Sequence, residues 1–172
     1  MAAVENLWAP WRLEYVAGEK PSGCVLCAKR DQDDEQALVV ARGEHVYAML
    51  NLYPYNNGHL MIVPYRHVAE LEALTAAESD EAQRMIERGI RAARATLNPG
   101  GFNVGLNLGE AAGAGIASHL HWHLVPRWAG DTNFMPVLAD VRVMPQHLNT
   151  TWKLLRDAWE APSNEEATNH GV

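Results

Sequence analysis

The chain has 172 residues, enough for one domain at ~150 residues apiece and long enough to build a core without disulfides or a metal. Hydrophobic residues make up 48% and charged residues 20%, which excludes a disordered or collagen-like chain. Fourteen Lys and Arg against 21 Asp and Glu leave a charge of −7, which argues against a general nucleic-acid binder but not against a small anion in a locally positive pocket.

Residues 1–36 read as an irregular N-terminal arm. Trp8, Trp11 and Tyr15 either dock it onto something or fill gaps in its own packing. Cys24 and Cys27 form a single Cys-x-x-Cys, too few cysteines for a disulfide scaffold. The pair points to a reducing compartment and to a metal or redox role, although no βαβ pattern follows to support thioredoxin-like chemistry. The acidic run from Asp31 to Glu35 reads as a solvated loop. No apolar run of about 18 residues predicts a membrane span, and the first residues lack a basic segment followed by an apolar one. The expected location is the cytoplasm.

Residues 37–143 carry the alternation of a sheet domain. Strands are expected at 37–41, Val46–Leu52 and His59–Pro64, joined by hairpin-like links. Thr75-Ala76-Ala77-Glu78 has capping-box spacing and opens a long helix. Ala82, Met85, Ile86, Ile90, Ala93 and Leu97 form its apolar face, and Asn98-Pro99-Gly100-Gly101 stops it. A fourth strand is expected at Phe102–Leu108, and a fifth at His119–Val125 with Pro126 ending it. Residues 144–172 hold a final helix, from about Pro145 to Trp159, and a polar tail. The order predicts an α+β fold, one five-stranded antiparallel sheet with helices on one side.

The densest chemistry lies in Ser118-His119-Leu120-His121-Trp122-His123-Leu124-Val125-Pro126-Arg127. On a strand, His119, His121 and His123 share one face. Positions i and i+4 lie ~13 Å apart there, too far for the three to hold one zinc ion with bonds of ~2 Å. A neutral imidazole is a competent nucleophile toward phosphorus once its other nitrogen is fixed, and neighbouring rings can donate protons. The bland alternative is three half-buried sheet histidines with no joint role. Upstream, Gly109-Glu110-Ala111-Ala112-Gly113-Ala114-Gly115-Ile116 is either a tight surface turn or a loop whose amides seat a phosphate, with Asn107 beside it.

The run His-Leu-His-Trp-His-Leu-Val-Pro-Arg closely resembles the signature of the histidine triad (HIT) nucleotide hydrolases and transferases. Asn51-Leu52, Gly58 to Val68 and Asn103 to Gly109 extend the resemblance over roughly residues 24–128. The run Arg127-Trp128-Ala129-Gly130-Asp131-Thr132-Asn133-Phe134, with the Trp-Ala-Pro-Trp-Arg start, resembles the diadenosine tetraphosphate phosphorylase-like branch. The resemblance implies that His121 is the nucleophile that carries a nucleotidyl group, with His119 and His123 flanking it and His59 supporting from the next strand. It places Asn51 and Leu52 at the ribose, and Asn107, Gly113, Ala114 and Gly115 at the phosphates. Gly115 and Ile116 stand where many members carry Gln-Ser or a Ser, so phosphate contact falls to backbone N–H groups.

The resemblance also implies structural zinc on Cys24, Cys27, His67 and His119, against a reduced, buried cysteine pair. No organic cofactor is implied. The expected reaction is phosphorolysis of diadenosine tetraphosphate to ADP and ATP. Hydrolysis or phosphoramidate cleavage with water, or nucleotide sensing without turnover, are the alternatives. The implied assembly is a homodimer, with Trp8, Trp11, Trp152 and Trp159 as candidate contacts. Neither nucleic acid nor membrane is an expected partner.

Overall fold

Short runs rich in apolar residues make five strands among the described residues: β1 (Val39–Arg42), β2 (Val46–Leu50), β3 (Leu60–Pro64), β4 (Gly101–Leu106) and β5 (Trp122–Arg127). All neighbours are antiparallel, in the order β1-β2-β3-β5-β4. The last strand in sequence is thereby inserted between β3 and β4. The computed structural model describes residues 23–131 and 146–161. Trp8, Trp11, Tyr15, residues 132–145 and the tail from 162 lie outside them.

Among the described residues, four α-helices accompany the sheet: α1 (Val25–Arg30), α2 (Asp34–Ala37), α3 (Ala76–Leu97) and α4 (Leu148–Glu160). The pairing register sends Val40, Val46, Ala48, Leu50, Leu60, Ile62 and Leu124 to one face, where α3 and α4 cover them. Gly89 lets α3 close on this face. A Cβ there would lie 2.8 Å from Leu124 Cδ2 and 3.3 Å from Trp159. Val39, Tyr47, Met49, Met61 and Val63 point the other way and pack with Leu26 and Ala37. Tyr47 Oη donates to the Leu26 carbonyl at 2.7 Å and pins α1 there. His123 pairs with Met61 and so belongs to this second face.

Several expectations are corrected. Helices lie on both faces, because Leu26 and Ala37 bury apolar area of their own. The segment from Cys24 to Ala37 is largely helical, and its acidic run is solvent-exposed as expected except at Asp34, which is half-buried in ion pairs. Asp33 caps α2 by accepting from the Glu35 and Gln36 amides, and Asp34 takes Arg42 and Arg156 at 2.8 Å each. Arg42 lies eight residues on, across the turn into β1, and Arg156 comes from α4, 122 residues away, so the run alone gives no sign of this pairing. Strand β5 starts at Trp122 and runs through Pro126. Arg127 bonds toward β4, so the nitrogen of Pro126 faces the β3 side, where β3 has already ended. The missing N–H therefore breaks no ladder bond. Trp152 and Trp159 are only 7% and 4% exposed, packed into the chain's own core, and are not available as dimer contacts.

The capping box of α3 is formed as expected, with Thr75 and Glu78 exchanging bonds. Arg66 adds two more, from Nε at 3.0 Å and from its NH2 nitrogen at 2.8 Å. The Arg66 guanidinium, aided by Thr75, holds the Glu78 carboxyl down at about 2 from its ordinary 4.5, against the effect of burial. A depressed pKa contributes stability above the unfolded value, and that contribution is lost as pH falls through the folded one. Glu78→Gln should cost about 1.5 to 3 kcal/mol at neutral pH. In thermal unfolding the gap to wild type should narrow as pH falls from 4.5 toward about 2, and a constant gap would assign the loss to packing alone.

Candidate active site and metal centre

Two histidine groups form, one on each side of residue 120. The first gathers His121, His123 and His59 with Asn107. His59 stands just before β3, fully buried. The Tyr55 amide donates to its Nδ1 at 3.0 Å, which makes that nitrogen an acceptor. Burial, then His123 and His121, push the His59 pKa down to about 3, so the ring stays neutral with its proton on Nε2. Nε2 lies 2.9 Å from His123 Nδ1 and donates to it. A neutral His123 then carries its own proton on Nε2, 3.5 Å from the Asn107 side-chain amide, which pairs with it only with its oxygen turned to that position.

His121 is settled separately. Its Nδ1 lies 2.8 Å from the His119 carbonyl oxygen, which can only accept, so Nδ1 bears the proton. Burial pushes the His121 pKa down and keeps the ring neutral, leaving a lone pair on Nε2. The rings of His121 and His123 meet edge to face, 4.9 Å between centroids. One imidazole offers a lone pair while its neighbour offers a proton. That pairing suits in-line attack on phosphorus with protonation of a leaving oxygen.

The other expected contacts are less closely drawn together. Asn51 ends the stretch after β2, where its amide donates to the His59 carbonyl and its Oδ1 accepts from the Tyr53 amide at 2.9 Å. Leu52 is 53% exposed. The glycine loop makes a 3₁₀ turn at Glu110–Ala112. The amides of Gly113 and Ala114 donate to the Glu110 and Gly109 carbonyls inside the loop. In this conformation phosphate contact therefore calls on the later part, from Gly115 to Ala117. Ile116 anchors that part on the second sheet face.

Sequence reasoning missed Tyr55, whose contribution is a backbone amide and leaves no signature in residue type. Its ring also packs on His59, with centroids 4.7 Å apart. Asp131 was missed as a clamp on the same loop. It accepts from Asn56 Nδ2 at 2.8 Å and from Arg127 Nε at 2.6 Å.

The second group is Cys24, Cys27, His67 and His119, whose donor atoms all lie within 4.8 Å of one another. His119 Nε2 donates to the Pro64 carbonyl at 2.9 Å, so Nδ1 presents a lone pair. That Nδ1 faces Cys24 Sγ at 3.2 Å and Cys27 Sγ at 3.5 Å, and His67 Nδ1 lies 3.3 Å from Cys27 Sγ. Two thiols and two imidazoles at this spacing fit the edges of a tetrahedral zinc site with bonds of ~2.0 to 2.3 Å. The ring of His119 is thus turned to the cysteines and away from its flanking place beside His121. Among the described residues, no helix is long and apolar enough to cross a membrane.

The family model described as HIT domain matches residues 32–130. A Mycobacterium tuberculosis protein named AP-4-A phosphorylase is 47% identical over 172 positions, covering 91% of this chain and 85% of that protein. A zinc-bound histidine triad family protein from Mycobacterium smegmatis superposes with a TM-score of 0.64 at 26% identity, over 80% of this chain and 93% of that one. The diadenosine triphosphate hydrolase of Plasmodium falciparum shares the fold, with a TM-score of 0.58 at 17% identity, over 84% of this chain and 91% of that one. By sequence match over more than half its length and by fold, the chain belongs to the HIT domain family and is an enzyme of that family.

Proposed function

We propose that the protein cleaves dinucleoside polyphosphates, diadenosine tetraphosphate foremost, by phosphorolysis through a nucleotidyl-histidine. The observation that carries this is the lone pair on His121 Nε2, set by the bond from Nδ1 to the His119 carbonyl. His121 Nε2 attacks the α-phosphorus, and the bond to the bridging oxygen breaks. His123 Nε2–H donates to the departing oxygen, and ATP leaves. An oxygen of inorganic phosphate then attacks the nucleotidyl-histidine, forming ADP and restoring His121. Asn51 and Leu52 hold the ribose, while Asn107 and the loop amides from Gly115 onward guide the phosphates, with Gly113 and Ala114 shaping that loop through their internal bonds. Cys24, Cys27, His67 and His119 would hold a zinc ion, which would tie α1 to the segment after β3 and to the start of the histidine run.

The likeness to the mycobacterial phosphorylase supports phosphate over water as acceptor. Product analysis with labelled diadenosine tetraphosphate tests the choice. ADP plus ATP should dominate when phosphate is present. Equal AMP with and without phosphate would replace phosphorolysis by hydrolysis.

The protein works as a cytoplasmic homodimer in this proposal. A cysteine pair that holds metal as thiolates suits a reducing compartment. Strand β4 is an edge of the sheet, and its Val104 is 46% exposed. An edge strand with exposed apolar side chains is a template for pairing with a second copy. Sedimentation at micromolar concentration should give twice the 19.0 kDa chain mass. Val104→Lys should shift the protein toward monomer, and a wild-type species of one chain mass would remove the dimer.

A further inference from the structure

His119 belongs to both histidine groups. Its ring enters the Cys24–Cys27–His67 cluster, and its backbone carbonyl takes the proton of His121 Nδ1. We infer that the metal-holding cluster positions the nucleophile, with His119 as the positioning residue between them. This rests on the proposed roles of His121 as nucleophile and of zinc as the cluster's occupant.

The stretch from His119 to His121 is buried but lies outside the regular strand pairing. Strand β5 starts at Trp122, so these residues lie before the sheet ladder. Their backbone is anchored by Leu120 N–H on the Val68 carbonyl at 2.7 Å and by a longer bond from His119 N–H to the Ile116 carbonyl at 3.4 Å. The ring of His119 adds a further hold, through Pro64 on one nitrogen and the cysteines on the other. His67, next to Val68, grips the same cluster from the other side. A tetrahedral occupant would draw all four side chains into one rigid unit. The direction of the His119 carbonyl would then be set by metal coordination one residue's width away. That carbonyl decides which nitrogen of His121 keeps the lone pair, the atom that must face phosphorus. A small rotation would let His121 exchange tautomers or turn its ring. Supporting groups of this kind change activity by about 10- to 100-fold.

The test compares zinc-loaded protein with the same protein stripped by a chelator. With 15N-labelled histidine, long-range proton–nitrogen correlation reads the tautomer of His121 directly and needs no substrate. The loaded form should show Nδ1–H alone. The stripped form should show mixed tautomers, with kcat down about 10- to 100-fold and KM within about twofold. His67→Ala should reproduce the stripped state, and His67→Cys, which restores four donors, should recover zinc, tautomer and kcat together. A stripped protein that keeps its amide dispersion, a single His121 tautomer and an unchanged kcat would overturn the inference. Global unfolding on metal loss would also overturn it, by giving the cluster a purely structural role, as would failure of the cluster to take up zinc. Normal turnover by His121→Ala would instead remove the proposed reaction, whatever the metal does.

Discussion

His121→Ala should bind nucleotide about as well as wild type while turnover falls by at least about 10³-fold. Only the attacking atom is removed. His59 and His123 keep their mutual bond, and the Tyr55 amide still sets the proton order of that pair. Binding energy from ribose and phosphate contacts is spread over other residues, so the loss falls on kcat with KM little changed. Wild type mixed with labelled dinucleoside polyphosphate in the absence of phosphate, then quenched in alkali, should trap one labelled nucleotide per active chain. The alanine variant should trap none. His121→Gly with normal turnover would end the covalent mechanism.

The second large effect belongs to His123. His123→Ala should lower the rate by about 10²- to 10⁴-fold, the range for losing a positioned general acid. The loss should depend on the leaving group. A nucleotide bearing a leaving group that departs without a proton should recover most of the rate in His123→Ala and none in His121→Ala. Equal loss with good and poor leaving groups would show that His123 binds phosphate and does not donate a proton. His59→Ala should follow the same leaving-group pattern more weakly, because it acts on His123 through one hydrogen bond.

Much of the fold could be read along the chain because its signals are local. The short apolar run Leu60–Pro64 ended by proline, the helical period from Ala82 to Leu97 and the Thr75–Glu78 box each report on side chains a few residues apart. The chemistry of residues 118–127 was legible for a similar reason, since imidazoles at alternate positions announce themselves by type and spacing. The cysteine pair marked half of a metal site, with the other two donors coming from family resemblance. Within the mostly exposed Asp31–Glu35 run, the half-buried role of Asp34 escaped notice because it depends on Arg42 of β1 and Arg156 of α4. The tryptophans of α4 misled because amphipathic spacing marks an apolar face without saying what covers it.

Residue type and spacing determined that this chain makes an antiparallel sheet, a capped long helix and a row of reactive histidines. Tertiary structure alone decided the division of labour within that row. Because β5 begins at Trp122 and not at His119, the three rings do not share one continuous pleated face. His119 turns to Cys24 and Cys27, while His121 and His123 meet His59. The proton order that separates nucleophile from acid depends on the Tyr55 amide and the His119 carbonyl. Backbone groups are the same at every position, so only folding can say which of them reaches an imidazole.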